Sequence, residues 1–401
     1  MPPRKSSSSS GAVAAAAAEC IAQGNYYEAL QVYHGLCVRS TLAGDVEGAE
    51  ATALEGIRAM LAQREWRCAD ELVTRLLDSW GERDRAVDET AVATVRSLAD
   101  LFPCGSDEHC GLLKRACKWA DHSTSTSAST AGASASAVAA SSGGGGGGGS
   151  KGSLSSGKPA SGGGGKEPKE TKAPSGSGGG GKREREGASS RDKTTPPPAV
   201  AAAEALHLML ARALIAGAGL SRLGAAAKVG KYGLAAHHLA RARAPDEYAS
   251  LVEVWAAEGL SGETDLFVCR GCLHLLAMRR PAEAAHVRTR CLADDSPLAP
   301  PRGSADWRLS PLCHFVELLL QLVLLAPRLL SAKKKEAAST IADVYGVLRE
   351  RYLASLKRDS GGLLVKLADH AAQLHLGVKP PPATGMASMM SQMLGGMMNQ
   401  R

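Results

Sequence analysis

The chain has 401 residues, 44% of them hydrophobic and 4% aromatic, with 45 Gly, 10 Cys and a formal net charge of +7. Residues 12–121 hold 11 basic and 18 acidic side chains (net −7) and residues 204–376 hold 22 and 17 (net +5), so the surplus sits on a Gly-rich segment and the two tails. That distribution excludes a basic domain built to neutralise phosphates, and no nucleic-acid partner is expected.

In chain order, residues 1–11 read as a disordered start with Arg4, Lys5 and a Ser run. Residues 1–18 contain no acid, which also fits an organelle transit peptide, a second reading. Helices are expected over 12–23, 26–41, 46–62, 66–80, 87–101 and 108–120, where apolar residues recur at three- and four-residue spacing between Gly, Asp or Pro. Residues 122–199 hold about 20 of the Gly, with Ser, Lys and Pro and few large apolar side chains, so a disordered insertion is expected there. Further helices are expected over 202–216, 231–243, 246–258, 263–278, 282–292, 312–325, 336–352 and 363–376, and residues 379–401 read as a flexible Met-rich tail. Strand signals are almost absent. The stretch 311–330 comes nearest to a membrane span, but His314, Glu317, Gln321 and Arg328 interrupt it and a buried helix is the simpler reading.

A pattern repeats along these helices. Tyr26-x-x-Ala29-x-x-x-Tyr33 returns 40 residues on as Trp66-x-x-Ala69-x-x-x-Val73, and again as Tyr232-x-x-Ala235-x-x-x-Leu239. Large, small and large residues on one helix face let a neighbouring helix approach at the small one, the logic of tetratricopeptide-like repeats. The fold class is therefore an all-α solenoid of helical hairpins, its halves 12–121 and 200–378 parted by the insertion.

No catalytic constellation accompanies it. There is no G-x-S-x-G, no G-x-x-x-x-G-K-[ST] and no H-E-x-x-H, and the Gly runs at 143–149 and 178–181 are homopolymeric linkers. Cys269-x-x-Cys272 with His274 is half of a zinc site without a second half, and core packing explains it better. His237 and His238 point about 100° apart on a helix, one toward the core and one toward the surface. The basic runs 182–186 and 333–335 read as solvated chain, with nuclear import as a second reading. With no signal peptide, the ten cysteines are expected as reduced thiols in the cytosol. No enzyme activity, metal or cofactor is expected.

The order of several motifs resembles the helical scaffold subunit of the Golgi-to-ER traffic complex. These are Gly24-Asn25-Tyr26-Tyr27-Glu28-Ala29 with Tyr33, Ala69-Asp70-Glu71-Leu72, and Arg115-Ala116-Cys117-Lys118-Trp119. In the second half they are Tyr232, His237-His238-Leu239, Asp265-Leu266-Phe267-Val268, Ser355-Leu356-Lys357-Arg358-Asp359 and Leu376-Gly377-Val378. The resemblance implies a non-enzymatic scaffold in tail-anchored protein targeting. It implies that the first helices bind the targeting ATPase, through the region of Tyr26, Tyr27, Tyr33 and Arg39. The last helices would bind a ubiquitin-like-domain adaptor, through the region of Leu312, Phe315, Leu319 and Leu322. A tetratricopeptide co-chaperone and the tail-anchored clients are then indirect partners, delivered to the ER without this chain entering the membrane. Because residues 14–18 are all Ala, the charge in the ATPase contact falls on Arg39 and the acidic side chains of the first half. A generic adaptor of the proteasome-lid or signalosome type is the alternative; such subunits usually end in a small winged-helix sheet, for which 331–376 show no strand pattern.

Overall fold

The computed structural model describes residues 7–141, 197–220, 225–260, 262–300, 306–332, 334–359 and 361–379. Among them there are fourteen α-helices, one 3-10 turn and no strand. The helices are α1 (Ser7–Ala22), α2 (Tyr26–Leu42), α3 (Val46–Ala62), α4 (Trp66–Glu82), α5 (Glu89–Ala99), α6 (Asp107–Ser141) and α7 (Pro198–Leu220). They continue as α8 (Ala225–Arg241), α9 (Pro245–Glu258), α10 (Thr264–Ala277), α11 (Pro281–Leu292), α12 (Pro311–Ala332), α13 (Lys334–Leu356) and α14 (Leu363–Leu376). The expected helices match one for one. Two compact units are present, residues 1–126 with 197–401 and residues 127–196; of the second, only 127–141 are described, and they are helical. One unit thus contains both halves of the solenoid.

The first hairpins are built on a strict metre. Each of α2, α3 and α4 is 17 residues long, and a residue with positive φ follows each turn at Gly24, Gly44, Arg64 and Asp84. At all four the next N–H reaches back to the carbonyl five residues earlier: Asn25 to Cys20 (2.8 Å), Asp45 to Ser40 (2.9 Å), Glu65 to Met60 (3.0 Å) and Arg85 to Trp80 (3.0 Å). This is the left-handed cap that satisfies the carbonyls a helix end leaves open. The same bond recurs after Arg243 and Arg279 in the second half. Asp45 and Asp88 cap the starts of α3 and α5 by accepting from the Gly48 and Ala91 N–H groups.

Packing follows the repeat. Ala29, Ala69 and Ala235 are fully buried, and the large residues beside them, Tyr33, Val73, Tyr232 and Leu239, are also in the core. Consecutive helices pack on each other from α1 to α4 and from α7 onward, and α5 and α6 meet α7 and α8 across residues 142–196: α5 packs on α7, and Asp121 of α6 bonds His207 of α7 and Arg241 of α8. The order loosens at the end, where α10 touches α9, α11, α12 and α14. Phe315 lies 5.9 Å from the ring of Tyr352, Asp369 of α14 accepts from Tyr345 and twice from Arg349 of α13, and His375 Nε2 lies 2.8 Å from the Leu276 carbonyl.

Two expectations need adjusting, and several fall outside the described residues. The helix expected to stop at residue 120 runs on to Ser141, because Ser, Thr and Ala tolerate helical backbone and Thr124 and Ser125 hydroxyls donate back to carbonyls one turn earlier. Residues 142–196 lie outside the described residues, and with them most of the expected disordered insertion; so do residues 1–6, the Met-rich tail 380–401, the run 182–186 and Lys333. By length and composition two helices, Pro198–Gly219 and Pro311–Ser331, are apolar enough to cross a membrane. Each gives one side to the core, through Leu206, Leu210 and Leu214 of α7 and Leu312, Phe315 and Leu319 of α12, with Arg212 of α7 paired to Glu247 of α9 and Glu317 of α12 to Arg288 of α11.

Candidate protein-binding surfaces

At the N-terminal end, α2 presents one buried and one open face. Tyr33 is buried against Gly56 of α3, where a Cβ on the glycine would lie 2.8 Å from the ring, and burial raises its phenol pKa. Tyr33 is therefore part of the core, a correction to its place among the contact residues. Tyr26 is half-buried, Tyr27 is 69% exposed and Arg39 is exposed above Gly35. Between α2 and α4 runs a groove of about 310 Å³ with Val38, Leu42 and Leu72 on its apolar wall and Glu50, Asp78 and Glu82 among its lining residues. Leu42 is 82% exposed at its edge. The buried Nε2 of His34, also lining the groove, has no hydrogen-bond partner, and burial holds the His34 pKa below its ordinary value.

The groove was not anticipated. Val38 and Leu42 are one helical turn apart, out of phase with the Tyr26–Ala29–Tyr33 face, and that mismatch is the signal that marks it.

At the C-terminal end the structure reverses the face expected of α12. Leu312, Phe315 and Leu319 are fully buried against α10 and α13, so they hold the fold and offer no surface. Leu322 is half-buried at the border. The open stripe is Leu318, Leu322, Leu325 and Leu329, spaced 4, 3 and 4, with Leu324 beside it. Exposed leucines in an unbroken helical row are the pattern by which a helix meets a partner. His314, Glu317, Gln321 and Arg328 fall on one side of α12, so periodicity marks the side of Leu312, Phe315 and Leu319 as apolar; it does not tell whether that side meets a partner or the chain's own core.

Cys269 and Cys272 are buried on α10 as free thiols, where Cys272 donates to the Ala284 carbonyl (3.7 Å) and Cys269 neighbours the free thiol of Cys313. Burial pushes both thiols well above the ordinary range. Among the described residues they join no cluster close enough to share an ion. His237 and His238 are both half-buried, in place of the expected core and surface pair.

The profile of the family described as Golgi to ER traffic protein 4 matches residues 193–397. Among solved structures, the crystal structure of C. therm. Get4 resembles this chain with a TM-score of 0.56 at 16% identity, covering 96% of this chain and 95% of that one, a likeness in fold. No curated protein matches the chain.

Proposed function

The chain belongs to the Golgi to ER traffic protein 4 family of non-enzymatic scaffolds, and from that membership we propose that it links a ubiquitin-like-domain adaptor to the targeting ATPase of the tail-anchored pathway. It would work in the cytosol, bringing a tetratricopeptide co-chaperone and its tail-anchored clients to the ATPase for delivery to the ER. The observation that carries this reading is the family match over the second half, joined to a fold likeness that spans both halves.

The two ends divide the task. The ATPase side is the open face of α2, with Tyr27, Arg39 and the half-buried Tyr26, extended by the Val38–Leu42 edge of the groove. The net charge of −7 on residues 12–121 makes that encounter salt-sensitive, mainly through its on-rate. The adaptor side is the leucine row of α12, Leu318, Leu322, Leu325 and Leu329, which accepts an amphipathic partner segment.

Leu325→Asp with Leu329→Asp tests the adaptor side. Each half-exposed leucine contributes about 1 kcal/mol on burial and a buried carboxylate costs more, so capture of the adaptor should weaken at least ~100-fold. ATPase capture and far-UV circular dichroism should be unchanged. Tyr27→Ala with Arg39→Glu should do the converse. Adaptor binding at full strength in the α12 variant would refute the assignment of that face.

A further inference from the structure

The helices on either side of residues 142–196 meet at a side-chain cluster that neither binding surface uses. Cys117 of α6, His207 of α7 and His238 of α8 bring one sulfur and two ring nitrogens within 4.8 Å of one another. Cys117 and His207 are buried and His238 is half-buried. The two imidazoles meet edge to edge and nearly coplanar, with centroids 5.1 Å and Nδ1 atoms 2.9 Å apart. On its far edge His207 Nε2 lies 3.2 Å from Asp121 Oδ1, which Arg241 also bonds at 2.5 Å. The ring of His237 stands edge-on to His238 at 5.4 Å.

We propose that Cys117, His207 and His238 form a binding site for a divalent transition metal of the zinc type, with Asp121 as the carboxylate that orients His207. Thiolate with two imidazoles is a ligand set for borderline-soft ions, and three protein ligands leave a fourth position for water. A metal-bound histidine commonly donates its second ring N–H to a carboxylate, the relation Asp121 has to His207. The ligands come from three helices whose packing already brings them together, so little ordering is required on binding. Tetrahedral coordination at ordinary Zn–N lengths puts the two nitrogens about 3.3 Å apart, so from their present 2.9 Å the rings part by about 0.4 Å and each turns by about 35° to aim its lone pair at the ion.

The protons balance simply. With His207 neutral, the Asp121 carboxylate holds the His207 proton on Nε2, so the His207 Nδ1 lone pair accepts from His238 Nδ1–H. Metal binding moves that His238 proton to Nε2, leaving a lone pair on each Nδ1. The Cys117 thiol gives its proton to solvent, one per ion bound. The consequence is mechanical. α6 is the last helix before residues 142–196 and α7 the first after them, so the ion clips the two halves of the solenoid to each other at their junction.

The test is a Co²⁺ titration of the chelator-treated, full-length protein. A thiolate-to-cobalt charge-transfer band that saturates at one equivalent is expected, and Zn²⁺ should bleach it and raise the melting temperature. Cys117→Ser and His238→Gln should abolish the band, Asp121→Asn should weaken cobalt binding 10- to 100-fold, and the exposed Cys104→Ser should leave it intact. Each variant is checked by circular dichroism, and His238→Gln decides the matter should Cys117→Ser unfold. No band at one equivalent, or a band that survives in folded Cys117→Ser or His238→Gln, overturns the proposal.

Discussion

Gly217 stands where α7 meets the loop between α5 and α6, and it measures how tightly the two halves of the solenoid are joined. A Cβ added there would lie 2.6 Å from the carbonyl oxygen of Gly105, 3.2 Å from Lys231 Nζ and 3.3 Å from the Gly105 carbonyl carbon. The Gly105 obstacle is backbone, held in the left-handed region at φ 74° and itself pressed against Gly217, so it cannot swing aside as a flexible side chain would. Gly→Ala inside a helix ordinarily gains about 1 kcal/mol. Overpacking against fixed atoms costs about 1–3 kcal/mol, and an overlap this deep falls in the upper part of that range. Gly217→Ala should therefore destabilise the protein by about 1–2 kcal/mol. Gly233, in the middle of α8, has nothing within 4 Å of its Cβ position, and Gly233→Ala should stabilise by up to about 1 kcal/mol. Urea unfolding followed by circular dichroism separates the pair by about 2–3 kcal/mol at an unchanged m-value. A Gly217→Ala protein as stable as Gly233→Ala would refute the close approach of the loop to α7, and with it the direct joining of the halves.

The remaining predictions concern the second half and the segment between the halves. Arg358→Ala should cost about 3 kcal/mol, because it strips the partner from the buried Asp265 carboxylate, 2.7 Å away; a thermal shift under 2 °C would count against that pair. His274 Nδ1 lies 2.8 Å from the Tyr248 hydroxyl oxygen, and burial lowers the His274 pKa to about 4. The folded state therefore binds fewer protons there than the unfolded chain, and stability should fall by about 1 kcal/mol per pH unit as pH drops from about 6 toward 4. His274→Gln should flatten that slope, and an unchanged slope would assign it to another group. Replacing residues 142–196 with a 20-residue Gly-Ser linker should leave helicity intact and raise stability by at most about 1 kcal/mol, the difference in loop-closure entropy; a loss of helicity would show that the halves do not pack on their own contacts.

The sequence by itself determined where the helices lie. Residues 46–62 and 363–376 coincide with α3 and α14, because a 3.6-residue apolar period, an Asp cap and a left-handed glycine are local signals, written within a few residues of where they act. The repeated large-small-large motif likewise fixed the hairpin order, and the motif order disclosed the family. Tertiary structure alone decided which face of each helix is used. Periodicity places Phe315 and Leu319 of α12 opposite His314, Glu317, Gln321 and Arg328, but only the presence of α10 and α13 makes that side core and leaves Leu325 and Leu329, beside the polar residues, open. Burial is non-directional and depends on what packs opposite, which no period within one helix records. The same holds for Cys117, His207 and His238. They are remote in the chain, and only the closure of α6 onto α7 and α8 brings their sulfur and nitrogens together.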